Sequence, residues 1–192
     1  MEPRLEEAKN GERVVLFVDA THFIFATLLG CLWSKTRTFI KSHAGRKRYN
    51  VLGALNAVSK KVTIYTNESY INSKSVCKLL KMLYLEYYGK PITIILDNAK
   101  YQRCKLVQRY ARLLKIELLF LPSYSPNLNT IERFWKYVKK KVLYSVFHKT
   151  FEDFKESINK CIIMANKDDK KTLDSLLSMK FQSFEKVKIL TV

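Results

Sequence analysis

Val14–Asp19 (V-V-L-F-V-D) is an unbroken apolar, β-branched run closed by an acid, the pattern of a buried strand. Val51–Val58 and Val62–Thr66 predict two more strands, joined by the polar turn Ser59-Lys60-Lys61. Phe23–Leu29 and Thr36–Lys41 predict a hairpin in the stretch between. Apolar residues then recur at 76, 79, 80, 83 and 87, which is helical spacing over Ser73–Tyr88, with Ser73 as cap and Gly89-Lys90-Pro91 as stop. Ile92–Asp97 (I-T-I-I-L-D) is a second apolar run ending in Asp, followed by a helix over Tyr101–Lys115 and a strand over Glu117–Leu121. Two prolines stiffen the loop Pro122–Pro126. A helix over Asn129–Tyr144 follows, with 131, 135, 138 and 142 on one face, then another over Phe151–Asn166. The last 25 residues are polar and weakly patterned, and no internal repeat is present.

Strands that alternate with helices predict an α/β domain with a mixed sheet and helices on both faces. The pattern divides the chain into a lead-in over 1–12, a domain over 13–145, and a helical extension and tail over 146–192. At 192 residues with 47% apolar side chains, the chain can bury a sizeable core, which excludes wholesale disorder. The longest near-apolar run, Phe23–Trp33, is too short to span a bilayer. The Met-Glu-Pro-Arg opening has neither the basic flank nor the apolar stretch of a secretory leader. Cys31, Cys77, Cys104 and Cys161 lack zinc-finger spacing, so reduced thiols and a cytoplasmic location are expected.

Charge changes the picture most. The chain carries 35 basic and 17 acidic residues, a net +18. Residues 20–145 hold 23 of the basic and only 5 of the acidic ones, and no acid lies between Ala20 and Asn67. Such a surface attracts polyanions, nucleic acid first among them. The bland alternative is a soluble, lysine-rich surface.

Against that basic background three acids stand out. Asp19 and Asp97 each close an apolar strand, where ligands of α/β sheets bind, and Glu132 enters in the first turn of a helix after the proline-rich loop. Three hard oxygen donors fit Mg²⁺ or Mn²⁺, and two such ions about 3.5–4 Å apart activate a water and stabilise the leaving oxygen of a phosphodiester. Each acid also has a structural reading. A strand-end Asp closes turns or caps helices, and Asn129-x-x-Glu132 has the form of a capping box. His22, the run Arg46-Lys47-Arg48, Tyr124, Lys136, Lys139 and Lys140 are candidate DNA contacts; Lys136 and Lys139 share the helix face of Glu132. Their structural counterparts are a polar strand-edge turn for His22 and a solvated helix face for the lysines. Trp33, Trp135 and Tyr124 have rings that stack on bases, but Trp135 falls on the apolar stripe and reads as core.

The blocks F-V-D-A-T-H-F (17–23), G-R-K-R-Y-N-V-L-G-A-L (45–55), I-L-D-N-A-K-Y-Q (95–102) and L-P-S-Y-S-P-N-L-N-T-I-E-R-F-W (121–135) resemble the catalytic domain of mariner-superfamily transposases, the prokaryotic insertion-sequence branch above all. The resemblance spans about residues 12–145 and includes the 34 residues between Asp97 and Glu132. It implies an RNase H-like fold and an Asp-Asp-Glu triad made of Asp19, Asp97 and Glu132. The implied activity is Mg²⁺- or Mn²⁺-dependent cleavage at transposon ends, with two ions, and strand transfer to target DNA. It further implies a homodimer in the active complex, a separate or frameshift-fused helix-turn-helix domain, and a cytoplasmic, nucleoid-associated protein. Gln102 and Thr130 depart from the family pattern and read as drift away from the triad. The competing functions are a non-catalytic basic DNA-binding remnant and a nuclease of RNA–DNA hybrids.

Overall fold

A computed structural model describes residues 1–26, 35–36, 39, 41, 43, 45, 47–122, 128–144, 146–167, 173 and 177. The elements run α1 (Glu2–Lys9), β1 (Val14–Ile24), β2 (Arg48–Asn56), β3 (Val62–Asn67), α2 (Ser73–Glu86), β4 (Ile92–Leu96), α3 (Lys105–Leu113), β5 (Ile116–Phe120), α4 (Ile131–Leu143) and α5 (Phe151–Lys167). The strands form one sheet in the order β3-β2-β1-β4-β5. β1–β2 and β2–β3 are antiparallel, while β1–β4 and β4–β5 are parallel. The expected mixed sheet is present.

Strand periodicity decides which residues meet which helices. Val15 and Phe17 of β1 and Ile95 of β4 join one core with α1, α4 and α5. Val14, Leu16 and Val18, with Ile92, Ile94 and Leu96, join a second core with α2 and α3. Both sides of β1 and β4 are therefore apolar, as strands covered on both faces must be. Phe151, Phe154, Ile158, Ile162 and Ala165 of α5 belong to the first core, so α5 is welded to the sheet domain. No helix among the described residues is long and apolar enough to cross a membrane.

Several boundaries differ from the sequence reading. β1 does not stop at Asp19: it runs on to Ile24, pairing with β2 to the end, so Phe23 and Ile24 belong to β1 rather than to a hairpin. Most of the remainder of that hairpin lies outside the described residues. α2 is capped by Asn72, not Ser73; Asn72 Oδ1 accepts from the Ser75 N–H at 3.1 Å and closes a capping box. α3 begins at Lys105, four residues late, because 101–104 form turns. The lead-in contains α1, which buries Leu5 and Ala8 on the first core.

Candidate functional site

The parallel ladder between β1 and β4 ends at the pair Val18↔Leu96. Asp19 and Asp97 are the next residues on each chain, side by side at one rim of that ladder. Neighbouring strands lie about 4.8 Å apart, so the two backbones are close. Asp19, still within β1, shares the parity of Phe17, so its side chain leaves the sheet on the face that α4 covers; Asp97, one residue past β4, lies close enough to act on the charges of both Asp19 and Glu132. Asp97 also closes a turn, its Oδ1 accepting the Ala99 N–H at 3.2 Å.

Glu132 arrives from α4. The helix N-cap is Thr130, with no side-chain cap bond, so the capping-box reading of Asn129 and Glu132 does not hold. The buried Asn129 instead turns its Nδ2 to the carbonyl of Val18 at 3.4 Å, tying the helix entry to the residue before Asp19. One turn past Glu132, the buried Trp135 lies on β2 at Gly53, the residue paired with Asp19. Trp135 is core, as its place on the stripe predicts.

Electrostatics show that the three acids share one field. Burial first, then the charges of Asp97 and Glu132, push the Asp19 carboxyl up to about 7, against the Ala20 backbone N–H and Lys139. Glu132 is also raised, by burial first and by Asp97, against Lys136. Among the described residues no three His, Cys, Asp or Glu side chains converge closely enough to enclose an ion. The acids form an open cluster. Its donor set nevertheless suits a hard divalent cation: three carboxylates, partly desolvated and mutually repelling, lose free energy that such a charge restores.

Lys136 and Lys139 bring positive charge to Glu132 and Asp19 respectively, and Lys139 Nζ also lies 5.9 Å from the Phe23 ring centroid. Lys140 is exposed on the same helix. His22 does not share the face of the acids. Because β1 continues past Asp19 without a bulge, a residue three positions on points to the opposite face, and His22 is exposed there, away from the acids. Lys47 and Arg48 are exposed at the far end of β1–β2, Lys47 over Phe151 at 5.5 Å and Arg48 over Tyr70 at 5.3 Å. Arg46, Tyr124 and Trp33 lie outside the described residues.

Two neighbours of the acids escaped the sequence reading. Tyr101 is half-buried, and its hydroxyl is pushed up to about 12 by burial, then by Asp97 and Asp19, so it stays protonated beside them. Gln102, fully buried, donates Nε2–H to the Tyr101 hydroxyl at 3.4 Å. This departure from the family pattern thus sits one contact from the acids. Gly53 is the other, and its signal was a glycine inside an apolar strand.

Residues 14–155 match the family described as DDE superfamily endonuclease. The Tc3 transposase of Caenorhabditis elegans is 33% identical over 146 residues, covering 69% of this chain and 44% of the relative. The Mos1 strand transfer complex superposes with a TM-score of 0.66 at 14% identity, over 96% of this chain and 60% of that one. The Mos1 mariner paired end complex with Mn gives 0.65 at 16%, over 96% and 61%. The Mos1 catalytic domain gives 0.59 at 15%, over 93% and 83%. These structural likenesses establish the RNase H-like fold. The chain spans less than half the length of the Tc3 relative.

Proposed function

Since this chain belongs to the DDE superfamily endonuclease family, we propose that it is a transposase catalytic domain, cutting DNA at transposon ends and transferring the freed 3′ strand to target DNA. The observation that carries the proposal is the position of Asp19 and Asp97 just past the Val18↔Leu96 pair, in one electrostatic field with Glu132 of α4.

In this reading Asp19, Asp97 and Glu132 are the ligands of Mg²⁺ or Mn²⁺, two ions in the working complex. Bound there, a divalent cation supplies Lewis-acid activation of water and neutralises charge on the leaving oxygen. Burial of Asp19 keeps its carboxylate poorly hydrated, so it gives up little water on binding a cation. Lys136 and Lys139 hold phosphate beside the acids. The basic span around the site supplies the long-range attraction for DNA. Lys47, Arg48 and Lys140, with Arg46 and Tyr124, extend that contact surface. The finer parts of the proposal are the prokaryotic insertion-sequence branch, a dimeric active complex, a helix-turn-helix partner domain and a cytoplasmic, nucleoid-associated protein. Paired ends are named in relatives' structures, which supports the dimer.

A nicking assay on DNA carrying the element's ends, with Mn²⁺, tests the reading. Metal-dependent nicks lost in Asp97→Asn support it. Binding without nicking would favour a non-catalytic remnant, and cleavage confined to RNA–DNA hybrids would favour the general nuclease.

A further inference from the structure

Glu132 differs from its two partners in how it is held. Asp19 and Asp97 are fixed by the sheet, whereas Glu132 rides on a helix that could slide or tilt. Two contacts prevent this, one on each side of it. Three residues before, Asn129 Nδ2 donates to the Val18 carbonyl at 3.4 Å. Three residues after, the Trp135 ring fills the space where a side chain at position 53 would stand. A Cβ on Gly53 would lie 2.5 Å from Trp135 Cζ2, 2.6 Å from Cη2 and 3.2 Å from Ile131 Cδ1. Val18 and Gly53 are both backbone neighbours of Asp19, one along β1 and one across to β2.

Gly53 has no conformational reason to be glycine, because its backbone lies in the ordinary strand region. A glycine inside a strand costs stability, and close approach by another element is what such a residue allows. Both anchors also leave a buried polar atom unpartnered among the described residues, Asn129 Oδ1 and Trp135 Nε1. A helix anchored for stability alone would use apolar groups there, since each such orphan is unfavourable.

We propose that Gly53 and Asn129 are positioning residues for Glu132: the glycine notch and the amide-to-carbonyl bond lock α4 in the one register that delivers the third carboxylate to Asp19. This rests on the metal-site reading above. Neither residue touches substrate or metal; each acts through α4.

The test uses the full chain, free of DNA, and Mn²⁺ alone as probe, with affinity read by electron paramagnetic resonance. Gly53→Ala is expected to weaken Mn²⁺ binding about 10–100-fold, the range seen when residues supporting metal ligands are lost. DNA affinity in EDTA should not change, and the loss in nicking should fall on kcat rather than KM. Adding Trp135→Leu to Gly53→Ala makes room for the new methyl and is expected to restore most of the Mn²⁺ affinity, even if the melting temperature stays low. A folded Gly53→Ala with wild-type Mn²⁺ affinity overturns the proposal, as does a loss that the second substitution does not relieve. Should Gly53→Ala fail to fold, Asn129→Ala carries the same comparison: weakened Mn²⁺ binding supports the proposal and unchanged binding overturns it. Glu132→Gln is the reference arm. If it binds Mn²⁺ and nicks like wild type, the metal-site reading itself fails, whatever Gly53→Ala does.

Discussion

The two ends of the parallel strands treat carboxylates in opposite ways. At the amino end, Glu117 of β5 accepts from the Thr93 hydroxyl at 2.6 Å and lies 3.0 Å from Arg4 and 3.2 Å from Arg13. Those contacts outweigh its burial and hold its pKa below the usual range. At the carboxyl end Asp19 has no cation at bonding distance among the described residues, and its carboxyl is driven up to about 7. The same contrast holds along the acid-poor span. Glu68 meets Lys155 at 2.6 Å and Glu86 meets Lys61 at 2.7 Å, while Asp97 and Glu132 have no such ion pair among the described residues. One end spends its charges on holding the fold. The other holds its acids without an ion pair at bonding distance among the described residues, with only the nearby charges of Lys136 and Lys139 against them.

The sharpest way to break the comparison is to remove charge from the carboxyl end. Asp97→Asn should reduce metal-dependent nicking at least ~10³-fold, a loss of about 4 kcal/mol in transition-state stabilisation, while DNA affinity in EDTA holds or rises because a carboxylate no longer opposes phosphate. Wild-type cleavage by that variant, in a quantitative gel assay, would show the site assignment to be wrong.

Stability against pH should then separate the ends by sign. A carboxyl raised in the folded state contributes stability fully present below its unfolded pKa of about 3.8, lost progressively as pH rises to about 7. Asp19→Asn removes this and should stabilise the metal-free protein at pH 8 by on the order of 2–4 kcal/mol. Glu117 runs the other way: its lowered pKa stabilises the fold above the unfolded value and that contribution is lost as pH falls through the folded one. In melting curves from pH 2 to 8, the gain from Asp19→Asn should therefore grow as pH rises from about 3.8 to about 7, whereas the loss from Glu117→Gln should hold above 4.5 and shrink only as pH falls below it. Parallel curves would erase the distinction.

Glu117→Gln should cost about 1–2 kcal/mol of stability at neutral pH, given partial exposure of its ion pairs, and leave nicking intact. A loss of cleavage in a folded Glu117→Gln would mean that the amino end is not merely structural. The smallest effect concerns salt. Lys136→Ala should lower the slope of log affinity against log salt by about one. Arg4→Ala, whose charge already faces Glu7 and Glu117, should leave it unchanged.

The parts of this picture legible in the sequence are those written as long, regular patterns. V-V-L-F-V-D and I-T-I-I-L-D announce their strands and acids because both faces are buried, and the α4 stripe announces its helix. What stayed hidden depends on partners distant in sequence. Ala20-Thr21-His22 carries no apolar run, so the continuation of β1 past Asp19 is visible only once β2 is laid beside it, and with it the fate of His22. α1 has just Leu5 and Ala8 to bury, too few to make a stripe. Asn129 matches a local capping pattern but bonds across 111 positions to Val18, a tertiary contact that no window of neighbouring residues contains.

The central place of β1 has a consequence for how the chain is made. β1 leaves the ribosome well before its parallel partner: Leu96 comes 78 residues after Val18, the residue it pairs with. At roughly 5–20 residues per second, V-V-L-F-V waits about 4–16 s with that edge bare. β2 arrives sooner and can cover the other edge. The antiparallel pairing of β1 and β2 is thus the first shelter for this apolar stretch. Asp19, which closes that stretch, puts a charge at its flank during the same seconds, where residues that hinder aggregation of apolar strands commonly stand.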